Sequence, residues 1–147
     1  MQVKGVTVVL DLDRFKEITR NMGWTEYKPN VITGNLTRLV EQLASKFRGA
    51  IIGGLDEERG TEEAIIKFVE VDLNELLQSL EELRREIEDV GRESGSNATI
   101  SIGVYVGPIT SLKPQSLNKA KRSPEVVMAL RALKKAKRMG GNRIVII

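Results

Sequence analysis

The distribution of apolar positions divides the chain into alternating extended and helical segments. Val6 to Leu12 is a short, β-branched run that reads as a buried strand with Asp11 and Asp13 at its C-terminal end. A short helix is expected from Arg14 to about Asn21. From Thr33 to Lys46, the residues Leu36, Leu39, Val40 and Leu43 recur at three- and four-residue intervals, which predicts a helix capped at Thr33. Ala50 to Leu55 and Ala64 to Val71 read as two strands. The charged segment Asp56 to Glu63 joins them, with Gly60 supplying the turn, so a hairpin with an acidic tip is expected.

Asp72 or Asn74 caps the next helix, whose stripe of Leu73, Leu76, Leu77, Leu80, Leu83 and Ile87 runs until Gly91 and Gly95 stop it. Ala98 to Val106 alternates as a central strand does, Gly107-Pro108 closes it, and Thr110 to Arg122 reads as a loop. Ser123-Pro124-Glu125 opens a helix with a hydroxyl cap, a first-turn proline and an acid against the helix dipole. That helix runs to about Met139, Gly140-Gly141 ends it, and Arg143 to Ile147 is a last strand. This order contains a split βαβ arrangement. It predicts an α+β, ferredoxin-like palm domain over residues 1–147, with a mainly antiparallel sheet and helices on one face.

Composition narrows the chemistry. A hydrophobic share of 41% in 147 residues suffices for one continuous core. No apolar stretch approaches a membrane span and no signal-like segment opens the chain, so a cytoplasmic protein is expected. The charge-rich, cysteine-free composition is of the kind found in thermophiles. Without cysteine or histidine, thiolate and imidazole metal sites and Cys/His or Ser/His catalysis are excluded, which leaves carboxylates, lysine, arginine or a bound ion. The net charge of +3 hides an asymmetry: residues 110–147 hold 10 basic side chains and one acid, whereas residues 1–109 hold 13 and 19. The tail is a cationic surface, either a solvated helix face or a site for phosphates.

Asp11 and Asp13 are expected to part, only one of them reaching an ion. Asp56, Glu57 or Glu58 from the hairpin tip could join that one around magnesium or manganese, whose shell accepts carboxylates, water and substrate phosphates. Such an ion serves phosphoryl transfer by neutralising charge on the phosphates. In the alternative reading Asp13 only caps the following helix and the acidic segment is a solvated turn. Trp24 and Tyr27 either stack on a base or pack the loop after the first helix.

Asp11-Leu12-Asp13-Arg14-Phe15-Lys16-Glu17-Ile18 resembles the D-x-D-x-F-K-x-I signature that opens GGDEF domains. Gly53-Gly54 with acids close behind, Ala98 to Val104 as a T-x-S-I-G-V strand, and the closing Ala129, Ala132-Leu133, Ala136-Lys137, Gly140 and Asn142-Arg143 extend the resemblance in order along nearly the whole chain. The resemblance implies that Asp11 and a hairpin acid, Asp56 or Glu57, hold the ion and that Asp13 supports it. It also implies that Lys137, with Lys134 or Arg138, holds a triphosphate, and Phe15, Lys16 and Thr19 are expected to line the nucleotide, with Trp24 as the stacking candidate. The sequence departs from the pattern in several places. Leu55 follows Gly53-Gly54 directly, so Asp56 is displaced by one. Thr19 and Lys28 stand where guanine-reading side chains are expected, Leu130 replaces an aspartate, and Gly141 replaces an arginine.

The implied activity is magnesium-dependent nucleotidyl transfer or cyclisation on a nucleoside triphosphate, with Asp11, Asp56 and Lys137 as the catalytic set. A cyclic dinucleotide product would require two sites to meet, hence a homodimer. Gly23-Trp24-Thr25 and Pro29 also resemble the opening of archaeal GTP cyclohydrolase III, and the palm of a small CRISPR-type polymerase shares the same ion chemistry. Two further readings stand beside catalysis: a nucleotide sensor or partner-binding module that has kept the fold alone, and a nucleic-acid contact through Arg131, Lys134, Lys135 and Arg138. With so few aromatics for base stacking, nucleic acid is the less expected partner.

Overall fold

The computed structural model describes residues 1–147. Alternation decides how its central strand is used. In β1 (Gln2–Leu12), the buried Val6, Val8, Leu10 and Leu12 face one layer and Val9 the other, because successive strand side chains point to opposite faces. β1 lies antiparallel between β3 (Glu63–Asp72) and β4 (Ile100–Val106). β2 (Ala50–Gly53) forms a hairpin with β3, and β5 (Ile144–Ile146) runs parallel to β4, giving the order β2-β3-β1-β4-β5. The α+β class and the ferredoxin-like, mainly antiparallel sheet are as the sequence predicts.

The helices occupy both faces rather than the expected one. After α1 (Phe15–Met22), helices α2 (Val31–Phe47) and α3 (Leu73–Ser94) cover the face that carries Val6, Val8 and Leu10, contributing Leu36, Val40, Leu76, Leu80 and Ile87 to the main core. α4 (Leu117–Ala120) and α5 (Pro124–Arg138) cover the opposite face, where Ala120, Val126, Ala129 and Leu133 bury Val9, Ile52 and Ile65. The reason is the parallel β4–β5 pair, which only a crossover connection can make. α5 is that crossover, added outside the ferredoxin-like core.

α5 sits almost backbone to backbone on β4. A Cβ at Gly103 would lie 2.2 Å from the Ala129 carbonyl oxygen and 2.5 Å from the Leu133 nitrogen, so only glycine allows the approach. This seating brings Lys137, one turn past Leu133, over the end of β1.

Local chemistry adjusts other boundaries. α2 starts at Val31 because Asn30, not Thr33, is its cap: the Asn30 side chain accepts from the Ile32 and Thr33 amides at 2.9 Å each, and the Thr33 hydroxyl returns the bond by accepting from the Asn30 amide. The Thr110 to Arg122 segment includes α4, whose Ala120 packs into the smaller core. Ser123 makes no capping bond to α5, and Glu125 is buried as an ion pair with Lys67 at 3.0 Å, also accepting from Thr110.

Candidate functional site

Asp11 on β1 and Asp13, one residue past its end, project to the same side, as residues two apart along an extended segment do. They do not part as expected: Lys137 bridges them, 3.0 Å from a carboxylate oxygen of each and 3.2 Å from the Leu12 carbonyl. Their surroundings nevertheless differ. Asp13 is buried and accepts from the Thr99 and Ser101 hydroxyls at 2.7 Å and from the Asn142 amide at 2.9 Å, besides Lys137. Burial alone would raise its pKa, but the bonds from Ser101, Thr99, Asn142 and Lys137 outweigh it and hold the group below the usual carboxylate range. Gly141, at φ 74°, closes over this carboxylate, and a Cβ there would come within 2.9 Å of it. Asp13 does not cap α1 either, because Arg14, in a left-handed conformation at φ 47°, occupies that position.

Asp11 has one strong partner, Lys137, and an acidic neighbourhood. In the β1–β3 register it stands opposite Glu63, so the two carboxylates share a face, and opposite Ser101 on the β4 side. Burial raises the Asp11 pKa; Lys137 works against that shift while Glu63 and Asp13 add to it. Glu62 is raised as well, by burial first and then by Glu26, Asp11 and Glu63. Glu63 is itself paired with Lys121 at 3.2 Å. Glu62 and Glu63 were not singled out in the sequence, where they sit at the end of a run of charges. It is the β1–β3 register that sets Glu63 against Asp11.

The outgoing arm of the hairpin behaves differently. A register irregularity between Ile51 and Gly53 shifts the pairing, and the Asp56 carboxylate turns back to accept from the Glu58 and Arg59 amides at 3.0 and 2.9 Å. Asp56 still lines the cleft beside Asp11, whereas Glu57 opens onto a separate groove with Gly34, Thr37 and Arg38. The structure therefore does not bring Glu57 to Asp11.

The cleft itself has a volume of about 560 Å³. Asp11, Glu26, Asp56, Glu62 and Glu63 are its acids, Lys16, Lys28 and Arg59 its cations, and Phe15, Thr19, Thr25 and Asn30 are among the other residues of its wall. No side chain caps the N-terminus of α1, so its first-turn amides are without a side-chain partner at the rim formed by Phe15 and Lys16. A helix start of this kind attracts phosphate oxygens. Lys137 lines an adjoining depression together with Asp11, Lys16 and Glu62.

Several expected contacts are elsewhere. Trp24 packs against Phe15, ring centroids 6.2 Å apart, and the main core instead of lining the cleft. Lys134 and Arg138 are exposed on the outer side of α5 and line neither depression. Thr19 does line the cleft, but its hydroxyl donates to the Phe15 carbonyl at 2.7 Å, leaving it to act toward a ligand as an acceptor.

The donor set fits a hard divalent ion in one way. No three carboxylates converge closely enough to hold an ion unaided. Asp11 and Glu63, with Glu62 beside them, are oxygen donors; burial is the main cause of the raised Asp11 and Glu62 pKa values, and the neighbouring carboxylates add to it. Magnesium is commonly bound by one or two carboxylates plus water and substrate phosphates.

No protein-family model matches the chain, and no curated protein does. Among solved structures the chain is similar to the GGDEF domain of DgcB from Caulobacter crescentus, determined in complex with c-di-GMP. The TM-score is 0.65 at 21% identity, covering 97% of this chain and 77% of that one. It is also similar to the Csm1–Csm4 cassette in complex with one ATP, with a TM-score of 0.54 at 16% identity, and to the apo cassette, with a TM-score of 0.54 at 19% identity. The match covers 96% of this chain with the ATP complex and 98% with the apo form. In both cases it spans only 20% of the cassette chain. The fold is that of a GGDEF-like palm domain.

Proposed function

We propose that this palm domain binds a nucleoside triphosphate with a divalent cation and acts on it as a nucleotidyl transferase or cyclase. The observation that carries the reading is the convergence, at the end of β1, of Asp11 and the facing Glu63 with Lys137 and the uncapped start of α1. Asp11 and Glu63, with Glu62 in support, would hold magnesium or manganese, which when bound neutralises phosphate charge and polarises the reacting phosphorus. The α1 amides and Lys16 receive phosphate oxygens, and Lys137 exchanges its hold on Asp11 for them. Asp13 keeps Lys137 within reach of both. The neighbours determined with c-di-GMP and with ATP support a nucleotide as the ligand.

Calorimetry with ATP and GTP, with and without magnesium, tests the reading. Ion-dependent binding that weakens at least tenfold in Asp11→Asn is expected, equivalent to about 1.4 kcal/mol. Absence of heat with either nucleotide, or unchanged affinity in Asp11→Asn, would overturn it.

A second reading, a sensor that binds nucleotide without turnover, is favoured by the Asp56 carboxylate being committed to its own turn. Pyrophosphate release by the nucleotide-saturated protein separates the two, since a pure binder releases none. The hydrolase reading rests on Gly23-Trp24-Thr25 and Pro29, of which Trp24 packs on Phe15 outside the cleft while Thr25 lines it. For a cyclic product, two copies must bring their clefts together.

A further inference from the structure

Ion pairing is distributed unevenly over the two helical layers. On α3, each of Arg84, Arg85 and Arg92 is paired with a carboxylate of its own helix. On α5, Arg131, Lys134, Lys135 and Arg138 are exposed, and none has an acidic partner. The one acid of the helix, Glu125, is buried and already neutralised by Lys67. Spacings of three, four and seven residues place the four cations on one side of the helix, along about 10 Å of its axis. Compensation of the helix dipole accounts for charges in the last turn only; Arg131 and Lys134 lie before it.

We infer that the outer face of α5 docks the phosphodiester backbone of a nucleic-acid strand, without regard to base, at a surface separate from the nucleotide cleft. Charge complementarity selects this occupant. Protein interfaces bury aromatic and apolar anchors at their centre, but the exposed side of α5 offers charges around Val127, with no aromatic residue on the helix. The same lack of aromatics excludes the base stacking that gives single-strand binders part of their affinity. Contact is then with phosphates, and its signature is steep salt dependence.

The test is fluorescence anisotropy of a labelled oligouridylate with the full chain. Four phosphate contacts predict an affinity that falls about fifty-fold between 50 and 200 mM salt. The variant with Arg131→Gln, Lys134→Gln, Lys135→Gln and Arg138→Gln should keep the wild-type melting temperature, lose at least tenfold in affinity at low salt and show a nearly flat salt slope. Should the fourfold variant fail to fold, Arg131→Gln with Lys134→Gln is expected to halve the slope. Asp11→Asn should bind the strand as the wild type does. No binding at low salt, a slope unchanged by the variants, or competition by polyglutamate as effective as that by unlabelled oligouridylate would overturn the inference, the last in favour of an acidic protein partner.

Discussion

Asp11 near the end of β1 and Asp13 just past it project to the same side, touch the same lysine, and are used in opposite ways. Asp13 is surrounded by donors from three separated parts of the chain: Thr99 and Ser101 around β4, Lys137 on α5, and the Asn142 amide beyond it. Asp11 is surrounded by carboxylates and has Lys137 alone to balance them. A carboxylate whose acceptor sites are filled by the protein is a joint between elements. One that is flanked by acids and open to a cleft has acceptor sites that the protein leaves unfilled. The difference lies in what approaches the strand end from either side, not in the strand itself.

Removing each carboxylate breaks the comparison most directly. Asp13→Ala strands two hydroxyls, a backbone amide and a lysine at once, and should cost about 3 kcal/mol in urea unfolding. For a chain of this size that lowers the melting temperature by about 10 °C. Gly141→Ala should share part of this loss, because a Cβ at positive φ would press on the same carboxylate. Asp11→Asn should shift stability by less than about 0.5 kcal/mol, as substitutions outside such hubs do, while losing ion-dependent nucleotide binding. A large stability loss in Asp11→Asn would erase the distinction between the two aspartates.

Titration separates them by sign. The Asp13 pKa is lowered in the folded state, so its contribution is present above the unfolded carboxylate range and is lost as pH falls through the lower folded value. Asp11 and Glu62 are raised, so their contribution is full below the unfolded range and declines as pH rises through the folded values. Unfolding measured between acid and neutral pH should therefore show a loss at the acid end that Asp13→Asn removes. It should also show a smaller loss on the rising side that Asp11→Asn or Glu62→Gln removes and that magnesium with nucleotide opposes.

Much of the frame was legible from period and punctuation. The stripe of Leu76, Leu80, Leu83 and Ile87 gave α3, and the β-branched run before Asp11 gave β1, because burial imposes those spacings directly. The face taken by α5 was not legible, since amphipathicity says that a helix is covered and not which side of a sheet covers it. The partner of Asp11 was hidden for a similar reason. Asp56, Glu57, Glu58, Glu62 and Glu63 are chemically alike in one charged segment, and only the β1–β3 register and the late turn of the hairpin choose among them. Trp24 shows the limit of residue type as a guide: an aromatic beside a predicted site found its contact in Phe15.

The smallest effect is also the sharpest discriminator, because it compares two arms of one hairpin. Glu57 opens onto the groove beside Arg38 on α2, away from Asp11, so Glu57→Gln should change neither melting temperature nor nucleotide affinity measurably. Glu63→Gln keeps the size of the side chain opposite Asp11 and removes its charge, together with the ion pair to Lys121. A half-exposed pair of this kind is worth at most about 1 kcal/mol of stability, so the fold should tolerate the change. Ion-dependent nucleotide binding should nevertheless weaken, because the cleft loses the oxygen donor that faces Asp11 across the strands. Calorimetry on the two variants side by side reads the result: weaker binding in Glu63→Gln alone assigns the second carboxylate to the return strand, and weaker binding in Glu57→Gln alone would return it to the hairpin tip.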